Sequence, residues 1–423
     1  MGRPVLVRGA RQLLTLRGTP GPRRGPALRD LGLIQDGSVL IVDGVIKEVG
    51  PTRRVENLAA SHGAMEIDAT GRVVLPGFVD SHTHLVSGPL WLNQFERRLA
   101  NGPDRDARQS REAAARDIEQ ISRKTLQARA GALIRDSVRH GTTTIEAKSG
   151  HGSTATGELK ILRTHVALDE QPITVVSTFM PPAVWDRHIA ASPDDYVDWL
   201  CTQLLPLIRR RRLAEYVDLA CDPEVFTFER SRRLLNSAQQ LGFGVKLHGG
   251  RDGEGGAVSL AVQQHAISVD HMTSPSFDDM QALAQSETVA TLLPGPVFFR
   301  SRRQYAPARG LIDAGVPVAL ATSYNPESCP CQNMQMMIAL ACLEMGMTPA
   351  EAIAAATING AHAVGRGGRI GSLEVGKQAD MLILGASDYR EIPYHFGVNL
   401  VQTTIRSGEV IYDRADVTWL GRS

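Results

Sequence analysis

The chain has 423 residues, 43% of them hydrophobic and 22% charged, with a formal net charge of +1. That length is long for one compact domain and short for three, and the composition is that of a soluble globular enzyme. The near-neutral charge speaks against a nucleic-acid binder, which carries a basic excess, and without an apolar run of about 18 residues no membrane span is expected.

The N-terminus, Met1-Gly-Arg-Pro4, has no apolar signal core. Val5–Val7 and Ser38–Val42 are strand-like, and the Gly/Pro/Arg-rich stretch Arg17–Arg29 between them reads as a long exposed loop. Asp43-Gly44 then separates Ser38–Val42 from Val45–Val49, a strong hairpin signal. Phe78–Thr83 is a short strand running into a histidine pair. The amphipathic stretch Asp106–His140 is expected as one long helix stopped by Gly141.

From there strands and helices alternate. The strands are Thr142–Ala147, Ile173–Phe179, Tyr216–Ala220, Gly244–His248, Ala266–His271, Thr288–Leu293 and Val316–Thr322. The helices between them are Gly157–Asp169, Tyr196–Leu205 (interrupted by Pro206), Thr227–Leu241, Ala257–His265, Phe277–Gln285 and Ala308–Ala314. With Phe78–Thr83 this makes eight strands, mostly apolar runs of the kind a parallel sheet buries on both faces. A doubly wound open sheet also fits the alternation, but the count favours an α/β (β/α)8 TIM barrel. Asp380–Leu384, Leu400–Ile405 and Val410–Tyr412 are strands again, so the two chain ends are expected to meet in a small β-sandwich. The expected domains are residues 1–72 and 373–423 for the sandwich and 73–372 for the barrel.

Arg23-Arg24 and Arg209–Arg212 read as solvated loop or helix ends. The five cysteines (Cys201, Cys221, Cys329, Cys331 and Cys342) are sparse and odd in number, which suits a reducing, cytoplasmic setting. Cys329-Pro-Cys331 is a lone C-x-C and reads as a loop feature.

A barrel carries its active site at the C-terminal ends of its strands. Those ends hold His82 and His84, Lys148, His248, His271 and Ser323. Imidazoles at i and i+2 of a strand share a face, so His82 and His84 can grip one ion, with His248 completing a three-imidazole set. A lone histidine usually serves only local polar needs. Three strand ends that carry histidine favour a metal site.

The segment Leu75-Pro-Gly-Phe-Val-Asp-Ser-His-Thr-His84 resembles the opening of the amidohydrolase superfamily. Glu146-Ala-Lys-Ser-Gly150, Glu158-Leu-Lys160, Leu292-Leu-Pro-Gly295, Asn325-Pro326, Thr348-Pro-Ala-Glu-Ala352, Ala355-Ala-Thr-Ile-Asn359 and Gly371-Ser-Leu-Glu-Val-Gly-Lys377 sharpen that resemblance to the imidazolonepropionases, in collinear order over almost the whole chain. The resemblance implies a metal-dependent hydrolase of a cyclic amide C–N bond that opens imidazolone propionate to formiminoglutamate. It implies one divalent ion, zinc or iron, a small-molecule substrate, and a homodimer. His82, His84 and His248 would be metal ligands, and His271 would act with His248 in proton transfer.

Four positions depart from the family pattern. Ser323 stands where the family has an aspartate ligand, Arg251 where it has a glutamate, Trp91 where it has a substrate-binding arginine, and Ala183 where it has a histidine. His151 stands where tyrosine is usual. Ser323 remains a candidate ligand, and His151, Arg251 and Trp91 are the candidate substrate contacts. The changes make the site more positive, so a weaker hold on a divalent ion is expected, and His271 and Glu327 are left as candidates to accept the proton of water. Two further readings stay open: an amidohydrolase for a different ring or amide, and a catalytically degenerate barrel that binds a small ligand.

Overall fold

The computed structural model describes residues 3–100, 107–169, 172–183, 189–222, 224–249 and 256–416. The N-terminal part supplies β1 (Val5–Leu14), β2 (Leu33–Val42), β3 (Val45–Pro51), β4 (Met65–Asp68) and β5 (Val73–Pro76). The middle supplies β6 (Phe78–Thr83), β7 (Thr142–Lys148), β8 (Thr174–Phe179), β9 (Tyr216–Ala220), β10 (Gly244–His248), β11 (Ser268–His271), β12 (Val289–Leu292) and β13 (Val318–Leu320). The C-terminal part supplies β14 (Met381–Leu384), β15 (Val401–Arg406) and β16 (Glu409–Asp413).

Strands β6 to β13 lie side by side in chain order, every neighbour pair parallel. Parallel neighbours need crossovers, and the helices between the strands provide them. The ring closes just past β13, where Tyr324 bridges Thr83 in parallel. There Ser323 N donates to His82 O at 3.0 Å and His84 N donates to Tyr324 O at 2.8 Å. The seam of this nearly closed (β/α)8 barrel therefore runs through the histidine pair.

The remaining strands form one mixed sheet from both chain ends, in the order β16-β15-β14-β5-β1-β2-β3 with β4 on β1. It curls back on itself, since Ile46 N donates to Lys377 O and Ala379 N to Gly44 O, both at 2.9 Å. Its own core holds Val7, Leu13, Ile41, Val74, Met381 and Ile383, all buried. Each such side chain contributes about 1.5–3 kcal/mol by leaving water. The β2–β3 hairpin turns on Asp43 and Gly44 with φ of 51° and 76°, the paired positive angles of a tight hairpin. Strand β5, in sequence the lead-in to the barrel, pairs antiparallel with β14 in this terminal sheet.

Three local expectations are corrected. The long helix over Asp106–His140 is two helices, Ala107–Gln120 and Arg123–Arg139, because Ser122 takes an extended conformation and accepts from Thr125 N as the cap of the second. Pro206 does not stop its helix. It follows a widened turn over Leu200–Leu204 and sits at the start of Leu205–Arg210, where a missing N–H costs little. Arg17–Arg29 is not a simple exposed loop either. Arg23 is buried, donating Nη2 to Leu16 O at 2.9 Å and its own N to Asn359 Oδ1 at 2.7 Å. Arg24 binds the carbonyls of Ala284 and Ser286, oxygens left over where a helix ends. Arg209–Arg212 do form an exposed helix end.

The barrel wall also buries an imidazole remote from the mouth. His165, on the helix Ala155–Leu168, has Nδ1 3.2 Å from Ser177 Oγ, and burial pushes its pKa down to about 3 from an ordinary 6.5. The unfolded chain takes up a proton near the ordinary value while the folded protein stays neutral. The stability this provides is present above that value and is lost as pH falls towards the folded one. Replacing His165→Leu should make the unfolding free energy less steep against pH across that interval, by up to about 1.4 kcal/mol per pH unit. Urea midpoints at a series of pH values give the slope, and equal slopes for the two proteins would contradict this assignment.

Candidate metal centre

Strands β9, β10 and β11 are apolar runs broken by single charges at inward positions: Asp218, Lys246 and Asp270. With Glu146 and Lys148 of β7 these five side chains are fully buried. Lys148 Nζ lies 2.6 Å from Asp218 Oδ2, 3.1 Å from Asp270 Oδ2 and 3.1 Å from Glu146 Oε1, while Lys246 Nζ lies 2.5 Å from Glu146 Oε2. Burial works against the Lys148 ammonium, but the three carboxylates outweigh it and hold its pKa above the lysine range. Burial also opposes ionisation of Asp270 and Asp218. Lys148 and His82 hold Asp270 well below the usual carboxylate range, and His248 and Lys148 do the same for Asp218. Two ammonium groups against three carboxylates leave one negative charge beneath the barrel mouth.

Two carboxylates of this network carry the histidines above it. His82 Nδ1 is 2.6 Å from Asp270 Oδ2, and His248 Nδ1 is 3.1 Å from Asp218 Oδ1. Burial, then Lys148, pushes the His82 pKa down to about 4, so the ring is neutral and donates its Nδ1–H to Asp270. His248 makes the corresponding Nδ1 contact with Asp218, and a carboxylate on one ring nitrogen is how a histidine is oriented to ligate a metal through the other. The His82 ring centre lies 4.9 Å from that of His248 and 5.6 Å from that of His271, and His248 and His271 are 5.1 Å apart. One ring nitrogen from each of these three converges to within 4.8 Å of the others. A second convergent group, Asp218, His248 and Asp270, is already bridged by the Lys148 ammonium.

His84 stands apart from the convergent set. Its ring is 5.8 Å from His82 but 4.7 Å from His151, edge-on. Strand β6 ends at Thr83, and His84 N still donates to Tyr324 O at 2.8 Å across the seam. His151 Nε2 lies 3.4 Å from Asn325 Nδ2, in a loop clamped by buried Glu158, which accepts from Gly150 N at 2.9 Å and Gly152 N at 2.6 Å. Ser323 is buried at the seam in the left-handed region, φ 54°. Its placement comes from Asp80, which accepts from Thr322 N at 2.9 Å and Thr322 Oγ1 at 2.6 Å. Trp91 is partly exposed at the start of the helix Leu92–Leu99, and among the described residues it makes no ring contact with a histidine. Arg251 lies outside the described residues. Glu327 is paired with Arg111 at 2.6 and 3.0 Å, with Arg300 at 3.6 Å. Burial opposes its ionisation, but Arg111 outweighs it and keeps the carboxylate charged and engaged.

Sequence reading passed over Asp218, Lys246 and Asp270. A lone charge inside a buried apolar strand was the available signal, because such a charge needs a partner there. Asp80 and Glu146 entered only as letters of a motif, and Lys148 as a strand end with no partner assigned.

Residues 73–411 match the model of the amidohydrolase family. An imidazolonepropionase of Alkaliphilus metalliredigens is 38% identical over 98% of this chain and 99% of its own length. One of Parabacteroides distasonis is 41% identical over 96% and 98%. Among solved structures, a triazine hydrolase from Arthrobacter aurescens superposes with a TM-score of 0.74 at 20% identity, covering 97% of this chain and 95% of that one. A zinc-bound adenosine deaminase from Xanthomonas campestris gives 0.66 at 19%, covering 96% and 92%. The chain belongs to the amidohydrolase family, a family of metal-dependent hydrolases. Its sequence relatives within that family are imidazolonepropionases.

The network makes Lys148 the most sensitive position beneath the site. Lys148→Met leaves Asp218 and Asp270 buried without their cation, and should cost about 3–5 kcal/mol, the range for breaking a buried pair from one side. Chemical denaturation measures the loss, and a change below about 1 kcal/mol would mean the carboxylates find other partners.

Proposed function

We propose that this chain hydrolyses the C–N bond of a cyclic amide, with imidazolone propionate as substrate. The observation that carries the reading is the pair of carboxylate-backed imidazoles, His82 on Asp270 and His248 on Asp218, at the mouth of a barrel whose sequence relatives are imidazolonepropionases. The donor set fits a divalent cation: two imidazoles with Nδ1 already engaged by carboxylates, above a network that carries one negative charge. His82 and His248 would hold the ion, zinc or iron. When bound, such an ion supplies the Lewis acidity that activates water and polarises the ring carbonyl. Water adds to that carbonyl and the ring C–N bond breaks, leaving a carboxylate and the released formimino nitrogen.

The chain's own residues then orient the substrate and move the protons. His151, steadied through Glu158 and Asn325, faces the site beside His84 as a substrate contact. With Ser323 neutral and Glu327 paired to Arg111, the proton acceptor for water is the His271 imidazole rather than a carboxylate. The reading carries with it a cytoplasmic enzyme with reduced cysteines that works as a homodimer on a small-molecule substrate. Among the described residues no helix is long and apolar enough to cross a membrane.

The direct test is turnover of imidazolone propionate by protein loaded with zinc or iron. Activity should vanish on treatment with a chelator and return on reloading. A metal-loaded protein inert towards this compound and other cyclic amides would overturn the proposal. A second measurement concerns the seam. Ser323→Asp restores an anionic ligand and a general base at a position whose left-handed backbone suits aspartate. It should tighten zinc binding and raise kcat/KM, up to the roughly 10²–10⁴-fold that a positioned general base supplies. Unchanged or lower values would mean that the cluster does not use this position.

A further inference from the structure

We infer that Glu158 is a positioning residue of the reaction: its carboxylate fixes the loop between β7 and the helix Ala155–Leu168 so that His151 meets the substrate. This rests on the hydrolase reading above and names the group that sets one of its substrate contacts.

Residues 149–154 join β7 to that helix at the barrel mouth. Ser149 anchors the start, its N donating to Thr178 O at 3.0 Å and its Oγ accepting from Met180 N at 3.0 Å. Glu119 anchors the end, accepting from Thr154 Oγ1 at 2.5 Å. Between these anchors His151 puts its ring 4.7 Å from that of His84, with Nε2 3.4 Å from Asn325 Nδ2.

Glu158 holds the stretch in between. Its Oε2 accepts from Gly150 N at 2.9 Å and its Oε1 from Gly152 N at 2.6 Å, so the two oxygens take the N–H groups on either side of His151. The contact needs close approach. A Cβ on Gly152 would stand 2.7 Å from Glu158 N and 2.8 Å from Gly157 C, and Gly150 has φ 96°, so neither position accepts a side chain without moving the loop.

Charge gives the contact its meaning. Glu158 is 1% exposed, and among the described residues it has no cationic partner. A carboxylate buried without a cation is costly. Here it is compensated by Ser149, the two peptide donors and the N-terminus of its own helix. A neutral glutamine would fill the same space but could not accept at both ends of its terminal group.

The charged and titratable groups around it are otherwise engaged. On β7, Lys148 is committed to Glu146, Asp218 and Asp270. Lys160, on the same helix, donates to the carbonyls of Glu119 and Ile121, and the Glu119 carboxylate is turned to Thr154. Tyr196 gives its hydroxyl to Pro182 O, and His151 stays neutral, its pKa pushed by burial down to about 4. Burial pushes the Glu158 pKa up to about 7, against the bonds from Ser149, Gly150 and Gly152. Below that pH one oxygen becomes a hydroxyl, and one of the two loop bonds is lost.

The test uses zinc-loaded full-length protein with Glu158→Gln, His151→Ala and the double variant, circular dichroism reporting folding and elemental analysis reporting zinc. Glu158→Gln should keep its zinc and raise KM for imidazolone propionate by up to about 100-fold, with a smaller change in kcat. The double variant should be no worse than His151→Ala, because the two residues act through one contact. In the parent, KM should rise as pH falls below about 7, by at most about tenfold per unit, and Glu158→Gln should lack this rise. A parental KM in folded Glu158→Gln, or effects of the two substitutions that multiply, overturns the assignment. A parent KM that stays constant between about pH 6 and 8 overturns it as well, whether or not the variant folds. Hydrogen exchange of the amides of residues 149–154 needs no turnover: at about pH 8 it should be at least roughly tenfold faster in Glu158→Gln, and equal protection overturns the clamp. Faster exchange in a protein that hydrolyses no cyclic amide leaves the clamp in place and overturns the hydrolase reading instead.

Discussion

The ammonium of Lys148 is the point on which the site depends. It sits under the barrel mouth in reach of three carboxylates from three strands, β7, β9 and β11. Each charge there would be costly alone, because an isolated ion in a medium of low polarity loses its hydration. Together they stabilise one another, and their geometry is passed upward. Asp270 orients His82 and Asp218 orients His248, so the orientation of two site imidazoles is decided by a fully buried ion cluster. Removing either lysine or carboxylate would disturb the tautomers as well as the stability.

A second constraint comes from closing the ring. The first and last barrel strands meet through Ser323, Tyr324 and the backbone of His82 and His84. Asp80 locks the incoming chain through Thr322, and burial pushes its own pKa up to about 7. The seam is therefore held by bonds that do not involve the side chain of position 323. This accounts for how the barrel tolerates serine there: the position is held by the neighbouring Thr322–Asp80 bonds, so exchanging its side chain alters the chemistry of the mouth more than the fold.

Much of the fold was legible in advance. Eight apolar strand runs separated by amphipathic stretches leave few architectures, and hairpin and strand signals at both ends pointed to a shared satellite sheet. The failures were local. Ser122 split a helix because one hydroxyl in reach of a free N–H competes with helix continuation. Arg23 was buried because carbonyls of Leu16 and the side chain of Asn359, far apart in sequence, met around it. At the site, His82 and His248 were readable as strand-end histidines. The edge-on contact of His84 with His151 was not, because it joins residues from two different strand ends.

What the sequence determined by itself is the inventory: a barrel's worth of strands, histidines at three of their ends, and serine where a carboxylate would be the stronger ligand. These follow from periodicity and residue type, which are local properties. Which imidazoles share a point in space, which carboxylate backs each one, and which lysine binds the carboxylates together were decided by the tertiary structure alone. Those relations join residues far apart in the chain, 188 positions in the case of His82 and Asp270. They arise only when the ring closes and its interior charges have to be neutralised by one another in the absence of water.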